Sequence, residues 1–169
     1  MNLSNFLPKH LESNVLIRFE DCDPFGHLNN GRYIDYFLNA REDQLREQYG
    51  LDIYAHMKET GNAWVVASNQ IAYLREVKLM EVVKIKTCLM YYDNSNLYTE
   101  YQMLDKENGS VKALIWSKLT YINIRSGQRT AHGPELISLF EVTATEGEGK
   151  PDQYFEERVK ELRGASALV

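Results

Sequence analysis

The change of period at Gly61 constrains the fold of this chain more than any other feature. Before it, Tyr33, Tyr36 or Phe37, Ala40, Leu45 and Tyr49 trace one stripe at helical spacing, with Arg41, Glu42, Arg46 and Glu47 on the other faces. That pattern predicts a helix from about Gly31 to Tyr49, with Asn29 or Asn30 as its N-cap and Gly50 as its C′ stop. After Gly61 the period falls to two. Asn62 to Arg75, Glu81 to Tyr92, Leu97 to Leu104 and Val111 to Arg125 each alternate apolar and polar residues. Asp93-Asn94-Ser95-Asn96 and Asn108-Gly109 separate them as turns. Asn14 to Glu20 reads as a further strand ahead of the helix. One helix followed by long strands on short turns predicts an α+β fold, an antiparallel sheet packed on or around the helix.

The tail reads differently. Thr143 to Lys150 has the composition of a flexible linker, and Pro151 suits the first turn of a helix. Tyr154, Phe155, Val159 and Leu162 then form an apolar stripe on a short charged helix, which predicts an appendage docked on the domain or on a neighbouring subunit. The expected division is a domain over residues 1–142 and a linker with a helical appendage over 143–169. His132-Gly133-Pro134 reads as a loop.

The bulk properties exclude several classes. A net charge of −5 argues against a nucleic-acid surface, which carries a basic excess. No apolar run approaches the ~20 residues of a membrane span, and residues 1–14 lack the basic and apolar regions of a secretory signal. Cys22 and Cys88 form no CxxC and no zinc-ligand spacing, so no metal is expected; reduced structural thiols in the cytoplasm are.

The chemistry concentrates in Asp21-Cys22-Asp23-Pro24-Phe25-Gly26-His27-Leu28-Asn29-Asn30-Gly31-Arg32-Tyr33. Two carboxylates, a Pro-Phe-Gly turn, a histidine and two asparagines stand directly before the helix. A carboxylate beside a helix N-terminus can activate water or attack a carbonyl, while the helix's unbonded N–H groups stabilise the oxyanion. His27, with an unperturbed pKa near neutrality, is a second acid/base candidate. Arg75, Lys78 and Arg32 are candidates for phosphate contact, because guanidinium forks suit phosphate. Asp21 reads as a turn acceptor, and Cys22 has no base near it in sequence to make it a nucleophile.

The stretch from Arg18 to Tyr33 resembles the signature of the 4-hydroxybenzoyl-CoA thioesterase family, acyl-CoA thioesterases of the hot-dog fold. Asn39-Ala40-Arg41 and Ile71-Ala72-Tyr73-Leu74-Arg75 follow in the matching order, and the resemblance runs over about Asn14 to Phe140. It implies a sheet curled around a long central helix, with Asp23 as the catalytic carboxylate, as nucleophile or general base, and the backbone N–H of Asn30 polarising the thioester carbonyl. His27 completes the catalytic set. Asn29, Tyr33 and Arg75 are the positions expected to meet substrate. His27 and the two asparagines occupy a segment that is apolar and aromatic in the founding hydroxybenzoyl enzymes, which points toward fatty acyl thioesters. The implied partners are acyl-CoA or an acyl-carrier protein and further copies of the chain, as a homodimer or homotetramer, with no cofactor.

Two rival functions fit parts of this pattern. An acyl-thioester dehydratase or hydratase needs a paired acid and base, for which His27 and Asp23 are the available groups, though the order and spacing fit the hydrolase better. A non-catalytic acyl-thioester-binding protein would keep the fold without using Asp23.

Overall fold

The computed structural model describes residues 7–145 and 151–167. Five strands, β1 (His10–Leu16), β2 (Asn62–Tyr73), β3 (Val82–Tyr92), β4 (Asn96–Asp105) and β5 (Val111–Asn123), form one sheet in the order β1-β3-β4-β5-β2. Every neighbouring pair is antiparallel. The chain leaves β1 at one edge, runs through α1 (Tyr33–Tyr49) and α2 (Ile53–Thr60), and enters β2 at the opposite edge. This is the α+β hot-dog arrangement, with α1 held on one face of the sheet.

Strand alternation explains the two faces. Val83 and Ile85 of β3, Tyr101 and Met103 of β4, and Ala113 and Ile115 of β5 are buried against Tyr33, Phe37 and Ala40 of α1. The alternates Leu114 and Trp116, joined by Val111 where the β4–β5 register shifts between Met103 and Leu104, are buried on the other face with Phe155, Val159 and Leu162 of α4 (Pro151–Ala167). The apolar stripe of the tail therefore meets the back of the sheet, although Tyr154 stays exposed. A half-buried ion pair fixes this docking. Arg158 donates from Nε and Nη2 to the two oxygens of Glu100 at 2.9 Å each, and Trp116 Nε1 donates to the same carboxylate at 2.8 Å.

Several element boundaries move. β1 begins at His10 and ends at Leu16, four residues ahead of the expected start and end, because residues 10–16 have the partners, 82–88 of β3. Phe19–Asp21 turns instead into a short 3₁₀ helix. Neither Asn29 nor Asn30 caps α1 through its side chain; a 3₁₀ turn, Asn30–Arg32, leads into the helix. Gly50 does terminate α1, at φ 66°, where a side chain would be strained. α2 is a helix the apolar pattern does not announce, but its ends are written in sequence. Asp52 accepts from the N–H groups of Tyr54 and Ala55, and Gly61 closes it at φ 70°. The expected loop at 132–134 is the start of α3 (Pro134–Thr143), with Gly133 as N-cap and Pro134 in the first turn. The expected linker overlaps the end of α3 at Thr143. Thr145 N–H then donates to Leu89 C=O at 2.8 Å, so this stretch lies against β3, and residues 146–150 of that linker lie outside the described residues.

Candidate active site

The Asp-Pro-Phe-Gly-His stretch folds into a tight loop around its own carboxylate. Asp23 Oδ1 accepts from Phe25 N–H at 2.9 Å and from His27 N–H at 3.0 Å. Backbone bonds from Asp23 N–H to His27 C=O (2.8 Å) and from Gly26 N–H to Asp23 C=O (3.0 Å) close the turn, with Gly26 at φ 77°. Asp23 Oδ2 carries no hydrogen bond among the described residues. One oxygen is held by the turn and the other is open.

The loop is clamped from two sides. Leu28 N–H donates to Val77 C=O and Leu79 N–H to Gly26 C=O, both at 2.8 Å, which zips it to the connection after β2. Asn29 N–H donates to Asp21 C=O at 3.0 Å. Asp21 is a fastening to α1, since Tyr36 Oη donates to its Oδ2 at 2.7 Å and Arg32 Nε lies 3.5 Å from its Oδ1. Tyr36 also accepts from Arg18 N–H at 3.0 Å, and its phenol is pushed up to about 12, first by burial and then by the Asp21 carboxylate.

The sequence-predicted residues separate into groups. Asn30 opens the 3₁₀ turn, whose first internal bond is Arg32 N–H to Asn29 C=O at 2.8 Å; the N–H groups of Asn30 and Gly31 precede that bond, as at any helix start. Tyr73 Oη, which sequence reasoning did not single out for the site, donates to Asn30 C=O at 3.0 Å and pins the turn from β2. Asn29 is exposed. Tyr33 is 3% exposed and belongs to the core, its ring edge-on to Tyr73 at 5.0 Å, so it meets the site through Tyr73. Burial pushes its phenol up to about 12. Arg75 sits exposed on the connection after β2, its N–H bonded to Lys112 C=O at 3.0 Å.

His27 does not turn toward Asp23. Its Nε2 lies 3.0 Å from Glu76 Oε2, and Glu76 also faces Lys78 at 3.7 Å. Glu76 is a second residue that sequence reasoning missed; its place directly after Arg75 in the matched segment was the available signal. Around the loop stand exposed apolar side chains, Phe25 at 83%, Leu79 at 42% and Met80 at 58%.

A separate apolar cavity of about 280 Å³ opens further along α1, between that helix, α2, α3 and the inner face of the sheet. Leu38, Arg41 and Leu45 line it from α1, and Leu89, Leu97 and Leu119 from the strands. At ~1.5 Å per residue, Arg41 stands about 12 Å along the helix from Tyr33. The loop and the cavity therefore occupy successive stretches of one helix. Among the described residues, no group of three or more His, Cys, Asp or Glu side chains could hold a metal ion. Nor is any helix long and apolar enough to cross a membrane.

A five-stranded antiparallel sheet in this order with a long helix on its face defines a hot-dog protein. Residues 17–140 match the thioesterase-like superfamily, and the chain belongs to it. The match is to the superfamily and does not single out its 4-hydroxybenzoyl-CoA branch. Among curated proteins it is similar to Protein THEM6 of Drosophila melanogaster, 27% identical over 124 residues, 69% of this chain. The chain spans 62% of that relative's length. Its fold is similar to the probable thioesterase YbaW of Escherichia coli (TM-score 0.68, 22% identity, 79% of this chain and 98% of the other). It is also similar to the hypothetical protein SAV2348 of Staphylococcus aureus in complex with CoA (TM-score 0.74, 14% identity, 85% and 89%).

Proposed function

We propose that this protein hydrolyses acyl-CoA thioesters, with Asp23 as the catalytic carboxylate. The observation that carries this reading is the division of labour at Asp23, one oxygen bonded twice within the turn and the other without a hydrogen bond among the described residues, in the loop that leads into α1. In the general-base form, Oδ2 takes a proton from water and the hydroxide adds to the thioester carbonyl. The oxyanion is met by the N–H of Asn30, the C–S bond breaks, and the thiolate leaves. In the nucleophilic form Oδ2 adds to the carbonyl itself and water resolves the anhydride. Tyr73 holds the Asn30 peptide in place from its carbonyl side, and Tyr33 holds Tyr73. Asn29 and Arg75 border the loop where the CoA arm would lie, and an acyl-carrier protein would present the same arm.

His27 supports hydrolysis over dehydration. A dehydratase would use His27 and Asp23 as facing acid and base, and His27 is instead paired with Glu76. We further propose that the working unit is a homodimer joined along β2, and that it resides in the cytoplasm, in keeping with two free thiols.

The test is release of CoA thiol from short, medium, long and aromatic acyl-CoAs by wild type and Asp23→Asn. Asparagine keeps an acceptor for the two turn bonds and removes the base. A fall of about 10²–10⁴ in kcat with an unchanged thermal transition supports the reading. Equal turnover by the two proteins overturns the mechanism. Binding of acyl-CoA without turnover by either makes this an acyl-thioester-binding protein.

A further inference from the structure

The cavity beside α1 contains a cation, Arg41, that makes no ion pair among the described residues. Two other inward-lying basic side chains have acids. Arg158 is paired with Glu100, and Lys112 lies against Glu81 and Asp105. Arg41 is only 9% exposed, yet no carboxylate lies within 4 Å of it among the described residues. Its one hydrogen bond runs from Nη1 to Thr87 Oγ1 at 2.9 Å. A guanidinium has five N–H donors, so most of this one's capacity is unused.

The surroundings do not neutralise it. Thr87 Oγ1 donates on to Gln44 Oε1 at 2.6 Å, and Gln44 Nε2 donates to Ser13 Oγ and Ile85 C=O, so that chain of bonds is complete without Arg41's remaining donors. Glu42 also lines the cavity, with its Oε2 accepting from Tyr54 Oη at 2.9 Å, and no ion pair joins it to Arg41 among the described residues. Burial pushes the guanidinium below its ordinary range, a direction that an anion at the same place would reverse. No nitrogen of Arg41 is both sealed from solvent and unbonded, so the donors beyond Nη1 remain able to meet a ligand.

We propose that this cavity binds an aliphatic carboxylate, its chain among Leu45, Leu89, Leu97 and Leu119 and its carboxylate on the Arg41 fork. A guanidinium fork matches one carboxylate in two parallel bonds, and Glu42 on the cavity wall would repel the second charge of a phosphate. The carboxylate has two sources, a free fatty acid or the far end of an ω-carboxyacyl thioester. The binding site stands on the cavity and Arg41; only its use as a substrate pocket rests on the hydrolytic reading.

Binding is measured by calorimetry on the full chain with sodium octanoate and with 1-octanol. Wild type is expected to bind octanoate at least about tenfold more tightly, as for a hydrogen bond to a charged group. Arg41→Met removes that difference, and Arg41→Lys restores part of it. Octanol binding as tightly as octanoate to wild type overturns the proposal, whatever the variants' folding. So does Arg41→Met, folded by its thermal transition, holding octanoate like wild type.

A second arm compares hydrolysis of octanoyl-CoA and octanedioyl-CoA. A preference for the ω-carboxy substrate that collapses in Arg41→Met places the carboxylate on the substrate. A preference for octanoyl-CoA, with free octanoate inhibiting, makes the free acid the ligand. Turnover of neither overturns the hydrolytic reading and leaves the calorimetry to decide the site.

Discussion

Asp21 and Asp23 are two residues apart and do opposite things with their oxygens. Asp21 commits one to Tyr36 of α1 and one to Arg32 of the turn before it, whereas Asp23 turns one inward and leaves one open. The tyrosines around them make a prediction about alkali. Tyr33 and Tyr36 are both pushed from 10 to about 12, chiefly by burial. In the unfolded chain they would ionise near 10, so the stability their neutral forms provide is complete below pH 10. It is lost as pH rises toward 12, because the unfolded state gives up its protons first. The expected result is cooperative unfolding between about pH 10 and 12, with phenolate absorbance rising together with the loss of circular dichroism. Phe replacing both tyrosines should move that transition upward. At this scale the sequence was partly legible. The motif marked Asp23, His27 and Asn30, but the partners of His27 and Asn30 come from residues 73 and 76, on the opposite edge of the sheet from β1. Only the folded sheet brings β2 back to the loop.

Among the elements, α4 makes the sharpest prediction. Burial alone would raise the Glu100 carboxyl, but Arg158, Trp116 and Gln102 together hold it below its ordinary value of 4.5. The pair therefore stabilises docking above pH 4.5, and that stabilisation is lost as pH falls through the lowered folded value. Trp116 fluorescence should report α4 leaving the sheet in acid before the rest unfolds. Arg158→Met strands a buried carboxylate and should cost about 2–3 kcal/mol in urea denaturation, below the ~3–5 of a fully buried pair because Arg158 stays 31% exposed. Long periodic elements were readable because one face of each is buried over many residues. α2 and α3 were not, since eight and ten residues hold too few turns for a period to emerge. Their caps, Asp52 with Gly61 and Gly133 with Pro134, carried the signal that went unread.

For the whole molecule, the exposed edge at β2 matters most. Val65 and Val66 are each 42% exposed on a twelve-residue edge strand, an open template for another strand. Pairing of two copies there would also set the partner beside Tyr73 and the apolar rim of the loop. We expect a dimer by light scattering and a monomer for Val66→Glu, with thioester hydrolysis falling in step. Back-to-back packing of two sheets is disfavoured by α4, which occupies the outer face over Leu114 and Trp116. The chain order announced the sheet, but nothing in an alternating strand says whether it ends up inside or at an edge. That depends on the order β1-β3-β4-β5-β2, which local pattern does not encode.

The split carboxylate of Asp23 has a consequence for the timing of its cost. An aspartate on an open surface samples several rotamers and must give up that freedom each time it acts. Here two backbone N–H groups have already removed it, once, during folding. In the mechanism we propose, the loop's contribution to rate is therefore entropic, in a torsion already fixed when substrate arrives.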